Sequence, residues 1–194
     1  IFLMKTFKFI FVLLFVVSCK SETKKEAIAI PEVMEGRLQM LENPVKGNSS
    51  LPRLFSSNNK LFFSWVEKID TLAILKYSVF EDTIWKDSEE IISGSDWFVN
   101  WADFPSIAET NGNILTSFLQ KSAKGTYTYD VKLNLYNPEI NTWKKNFILH
   151  NDGTQSEHGF VSILPYLKDS FCVTWLDGRN TAGGHETHEN QNGG

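Results

Sequence analysis

The chain has 194 residues, 42% of them hydrophobic and 22% charged, with 15 Phe and 6 Trp. That composition excludes a wholly disordered or collagen-like chain. Lys and Arg number 19 against 23 Asp and Glu, a net charge of -4, and the body carries no basic cluster of the kind a nucleic-acid binder needs.

Met4 reads as the start, with Lys5 and Lys8 ahead of the apolar run Phe9 to Val17. That run falls short of the roughly 20 residues that span a bilayer. It fits the apolar core of a secretory signal peptide over residues 1–18. Val16-Val17-Ser18-Cys19 follows and resembles a bacterial lipobox, in which the Cys is acylated and becomes the mature N-terminus. The resemblance implies a membrane partner through a lipid anchor on Cys19, and a place at the outer membrane or cell surface. Each buried acyl methylene contributes about 0.8 kcal/mol. A plain signal peptide with an incidental Cys is the alternative. Residues 19–48 are then the lipidated Cys and a polar tether, beginning Lys20-Ser21-Glu22-Thr23 and carrying Pro31, Pro44 and Gly47. Cys172 is the other cysteine. With Cys19 modified, no intramolecular disulfide forms, and Phe171-Cys172-Val173 predicts a buried small hydrophobe.

From residue 49 the sequence repeats. Ser50-Leu51-Pro52-Arg53-Leu54 leads into Leu61-Phe62-Phe63-Ser64-Trp65, Asp103-Phe104-Pro105-Ser106-Ile107 into Ile114-Leu115-Thr116-Ser117-Phe118, and Gly159-Phe160-Val161-Ser162-Ile163 into Phe171-Cys172-Val173-Thr174-Trp175. The spacing between copies is about 55 residues. Turn formers fill each gap: Ser56-Ser57-Asn58-Asn59, Asn111-Gly112-Asn113, and Lys168-Asp169-Ser170. Leu72 to Phe80 and Tyr129 to Tyr136 read as third strands. In the latter, Val131, Leu133 and Leu135 alternate with Lys132, Asn134 and Tyr136. Turns ending in Trp85 and Trp143 follow, then fourth strands near Glu90 to Ile92 and Asn146 to Leu149. No segment carries a capped helical stripe.

Four short antiparallel strands per repeat of this length predict an all-β fold, a β-propeller of four-stranded blades. The expected blades are 49–95, 96–153 and 154–194, about two and a half of them. One blade exposes two apolar faces, so neighbours must stack on it. The chain is therefore expected to be an N-terminal fragment of a longer protein. A β-sandwich of unrelated meanders and a ring closed by self-association are the alternatives.

Ligands of a propeller gather at one mouth of the ring, and two segments are candidates for it. Asp96 to Asp103 holds Trp101 and Asp103, an aromatic face and a carboxylate suited to stacking and hydrogen bonding a sugar. Packing of Trp97 and Trp101 between blades is the competing reading. The second segment runs from Asp177-Gly178-Arg179-Asn180 into Gly183-Gly184-His185-Glu186-Thr187-His188. It offers Asp177, Arg179, His185 and His188, and Gly178 permits a tight turn there. Loops of this kind often carry function. His185 and His188 would share a metal only on a helix, which Gly183-Gly184 opposes. No metal or other cofactor is expected. Asp177 pairing with Arg179 is the structural alternative. His150, Glu157 and His158 flank the Asn151-Asp152-Gly153 turn and read as its neighbours.

The Trp-terminated turns resemble the Asp-box (BNR) repeat of sialidase-like propellers, Ser-x-Asp-x-Gly-x-Thr-Trp. Ser78 and Trp85 match in the first repeat, Thr142 and Trp143 in the second. The Asp and Gly columns hold Phe80 and Asp82, then Pro138 and Ile140. His158 to Ser162 with Trp175 to Asn180 also resembles sialidase-like lipoproteins of Bacteroidetes. This resemblance covers about residues 49–185 and implies a carbohydrate ligand. It also implies an Arg in the first strand, since a guanidinium fork grips a carboxylate bidentately. Ser50 stands at that position, and no catalytic residue is assigned. Two readings follow. One is a surface-anchored, glycan-directed exo-glycosidase of sialidase-like type. The other is a non-catalytic propeller binding glycan or protein at the cell surface.

Overall fold

A computed structural model describes residues 39–180. Nearly all of them belong to the second of two units, Glu42–Gly194. Eleven strands and no helix occur among the described residues, and every strand pair is antiparallel.

The first sheet holds β1 (Ser49–Ser57), β2 (Lys60–Ile69), β3 (Leu72–Glu81), β4 (Ile84–Trp85) and β5 (Glu89–Gly94). The last two both pair with β3, so they act as one interrupted fourth strand. At the break, the Ser78 hydroxyl donates to the Lys86 carbonyl at 2.7 Å. The second sheet is a meander of β6 (Ile107–Thr110), β7 (Asn113–Lys121), β8 (Tyr129–Asn137) and β9 (Thr142–Phe147). Here Asn134 fills the bulge between β8 and β9: its Oδ1 accepts from Asn146 N at 3.0 Å. The third is a pair, β10 (His158–Pro165) and β11 (Phe171–Asp177).

Hairpin chemistry explains the meanders. Asn58-Asn59 and Asn111-Gly112 have positive φ at both turn positions, the geometry that matches the twist of antiparallel strands. Asp82-Thr83 has it too, with φ of 53° and 68°. A β-branched residue is strained there, and Thr83 is exposed. Thr83→Gly is expected to stabilise the protein by about 1 kcal/mol in urea denaturation.

Two hydrophobic cores lie between the sheets. One joins Leu51, Phe62, Val66, Leu75 and Ile91 to Ile107 and Ile114. The other joins Leu115, Leu119, Tyr129, Val131 and Leu133 to Val161 and Ile163. The first strand of each sheet meets the first strand of the next: β6 lies against β1 on one side and β10 on the other. The Ser106 hydroxyl adds a polar tie, donating to the Val161 carbonyl at 2.9 Å.

The repeat is visible in register. Trp85 pairs with Phe80, and Trp143 with Tyr136. Both Trp lie inside fourth strands, not in the turns before them. The fourth strand of the second sheet accordingly ends at Phe147. β1 and β10 share a register shift, and Leu51 and Phe160 both take positive φ there. In the second repeat, Asp103-Phe104-Pro105 stays outside β6. Cys172 differs from expectation: it is exposed. β11 is an outer strand among the described residues, so this alternate side chain faces no second sheet.

Candidate functional site

One cluster of ionisable residues gathers at one end of the sheets. They come from the start of β8, the segment 148–157, the start of β10 and the end of β11. Antiparallel register sets His158 opposite Asp177. Glu157 is held between two strands: Tyr129 bridges to it, and Gly178 N donates to its carbonyl at 2.8 Å. Gly153 takes φ of 70°, which lets the segment turn. Asp152 caps that turn, its Oδ1 accepting from Thr154 N at 2.8 Å and from the Thr154 hydroxyl. These bonds hold the Asp152 carboxyl well below the usual carboxylate range.

Two imidazoles stack at the centre. His150 and His158 have ring centroids 4.0 Å apart and planes only 8° from parallel. The His158 side chain is 0% exposed and that of His150 5%. A carboxylate faces each edge of the stack. On one edge, Asp152 Oδ2 lies 3.1 Å from His158 Nε2 and 3.5 Å from His150 Nδ1. On the other, Asp130 Oδ1 lies 3.8 Å from His158 Nδ1 and 3.9 Å from His150 Nε2. Burial, then the neighbouring His158, push the His150 pKa down, so its imidazole is neutral near pH 7.

Arg179 serves the Asp152 edge. Its Nε donates to Asp177 Oδ1 at 2.9 Å and its Nη2 to Asp177 Oδ2, while Nη2 also lies 3.6 Å from Asp152 Oδ2. The hydrogen bonds from Arg179 hold the Asp177 carboxyl low. Two groups have ligand atoms within 4.8 Å of one another: Asp130, His150 and His158; and Asp152, His158 and Asp177.

Beside this cluster the Tyr129 hydroxyl donates to Glu157. Phe98 stacks on the Tyr129 ring at 4.1 Å. Burial, then the Glu157 carboxylate, drive the Tyr129 pKa up. Asp103 Oδ2 accepts from Phe160 N at 2.7 Å. Burial raises its carboxyl pKa, against the pull of that hydrogen bond.

The residues picked from sequence have different fates. Asp103 and Asp177 reach the same end of the sheets, since their partners Phe160 and His158 are near neighbours on β10. Asp177 and Arg179 pair with each other. Trp101 is 85% exposed, whereas Trp97 packs on Phe118 with centroids 4.4 Å apart. His185, His188 and Cys19 lie outside the described residues. Sequence reasoning did not assemble Asp130, His150, Asp152 and His158 into one cluster. The density of ionisable residues around Asn151-Asp152-Gly153 was the available signal. Asp130 sits in a strand that gave none. No family model matches the chain, and no curated protein matches it.

Proposed function

We propose that the chain is a lipid-anchored surface protein whose sheets are successive blades of a sialidase-like β-propeller, and that it binds glycan without cleaving it. The contact of first strands, β1 to β6 to β10, supports radial stacking of blades. Trp101 carries the binding reading. It stands exposed in a turn where Asn100 Oδ1 accepts from Ala102 N at 2.7 Å. A presented indole face suits the apolar face of a sugar ring. Arg179 is engaged by Asp177 through two of its nitrogens, which disfavours a carboxylate clamp of the sialidase kind.

The test is binding of the purified protein to an immobilised oligosaccharide panel. Trp101→Ala should weaken capture at least tenfold, the scale of about 1.4 kcal/mol, with thermal stability unchanged. Equal capture by wild type and variant would overturn the reading. Cys19→Ala should move the protein out of the membrane fraction; retention there would remove the anchor.

The glycosidase reading has one observation in its favour, the Tyr129 hydroxyl bonded to Glu157 with Asp103 nearby. Turnover of aryl glycosides by wild type, lost in Tyr129→Phe, would establish it. Tyr129 is buried, which argues against attack on a substrate.

A further inference from the structure

We propose that Asp130, His150 and His158 form a binding site for one first-row divalent transition metal ion, with Zn2+ as its probe, at the junction of β8, the 148–157 segment and β10. The inference is independent of the glycan reading.

Unused lone pairs are the first argument. His158 Nδ1 and His150 Nε2 are buried and make no hydrogen bond. Both face the same oxygen, Asp130 Oδ1, at 3.8 and 3.9 Å. Asp152 can only accept, which makes Nε2 of His158 the donor at 3.1 Å, and in the neutral ring Nδ1 then carries a lone pair. An imidazole nitrogen that faces a carboxylate without a hydrogen bond is unfavourable unless a cation, a proton or a metal ion, lies between them.

Charge is the second argument. The two edges of the imidazole stack are not equivalent. On the Asp152 edge Arg179 supplies positive charge to Asp152 and Asp177. On the Asp130 edge, among the described residues, no Lys or Arg pairs with Asp130. The cation that one edge has is missing from the other.

The donor set decides the class of ion. Two imidazole nitrogens and one carboxylate oxygen are the ligands of an open Zn2+ site, with a fourth position left over. Nitrogen donors disfavour Ca2+ and Mg2+, which take oxygen. Asp152 plays the part of the outer carboxylate that orients a metal-binding His and fixes its tautomer.

The geometry also says what must move. Donors on a tetrahedral Zn2+ lie about 3.4 Å apart, so each His must close on Asp130 by about half an ångström. Rings 8° from parallel cannot both hold one ion in plane. Loading therefore turns the rings apart. His158 is pinned in β10 and bonded to Asp152, so His150, on the connecting segment, is the ring that rotates. The bound ion then ties that segment to β8 and β10.

The experiment is Zn2+ binding to the full chain, by metal analysis after dialysis and by competition with a chromophoric chelator. The expected stoichiometry is one ion per chain, kept in a His185→Gln/His188→Gln background. Asp152→Asn should weaken affinity by about 10- to 100-fold, and Asp130→Asn or His150→Gln by more than that. Absence of a stoichiometric ion, affinity unchanged in folded Asp130→Asn and His150→Gln, or uptake that disappears with His185 and His188 would each overturn the proposal. Should those variants fail to fold, 15N spectra of the wild-type imidazoles decide. Zn2+ should shift Nδ1 of His158 and Nε2 of His150, and unshifted signals would overturn the site.

Discussion

Asp103→Ala is expected to lower the unfolding free energy by about 2 to 3 kcal/mol, the scale of a hydrogen bond to a charged group plus a stranded donor. Asp103 is 4% exposed, and its carboxylate receives the amide of Phe160 at the irregular start of β10. The approach is close. A Cβ on Gly159 would lie 2.3 Å from Asp103 Oδ2, so Gly159 is what lets the two segments meet. Asp103→Asn keeps an acceptor and should lose less than about 1 kcal/mol. The pH dependence has a definite sign. Burial raises the folded pKa of Asp103 above its unfolded value. The stability it contributes is fully present below the unfolded carboxyl pKa and is lost as pH rises through the raised folded pKa. Urea titrations across that window should show a decline in wild type that Asp103→Asn lacks. Full stability in Asp103→Ala, with ligand binding lost, would return Asp103 to the binding surface.

Leu133→Ala should cost about 2 to 5 kcal/mol, the transfer term plus the cavity left behind. Leu133 is 1% exposed on β8 and belongs to the core shared by the second and third sheets. Leu75, on β3, belongs to the other core. Its truncation should cost a similar amount. The double variant Leu75→Ala/Leu133→Ala should be additive within about 0.5 kcal/mol if Phe55, which packs on both cores, transmits no coupling between them. A larger coupling in chemical denaturation would mean that the two cores act as one.

The strands were legible because local chemistry determines them. Asn58-Asn59 and Asn111-Gly112 announce hairpins whatever surrounds them, and Trp85 and Trp143 keep one register in both copies. Misjudged residues were those decided by neighbours distant in sequence. Cys172 looks apolar in its run, yet nothing covers its face of β11 among the described residues. Pro105 lacks a ladder donor, and Asp103 is drawn to β10, so the first strand of the second sheet starts late. The same reason hid the site. Asp130 is an ordinary polar position in an alternating strand until β8 brings it against the stacked imidazoles, and spacing carries no trace of ring stacking.

The order of the sheets has a consequence for how the molecule opens. Among the described residues, each sheet packs chiefly on its neighbours, so stability passes along the stack largely as nearest-neighbour terms. The pair β10–β11 shares its core, among the described residues, with the second sheet and with Phe55 of β1, and partial unfolding that releases it leaves the buried residues of the other core in contact. The second sheet has no such route, because it is part of both cores. Among the described residues, sub-global opening therefore starts from either outer sheet, the first or the third. The cluster of Asp130, His150 and His158 spans the boundary between the second and third sheets, so whatever binds there also sets how often that boundary opens.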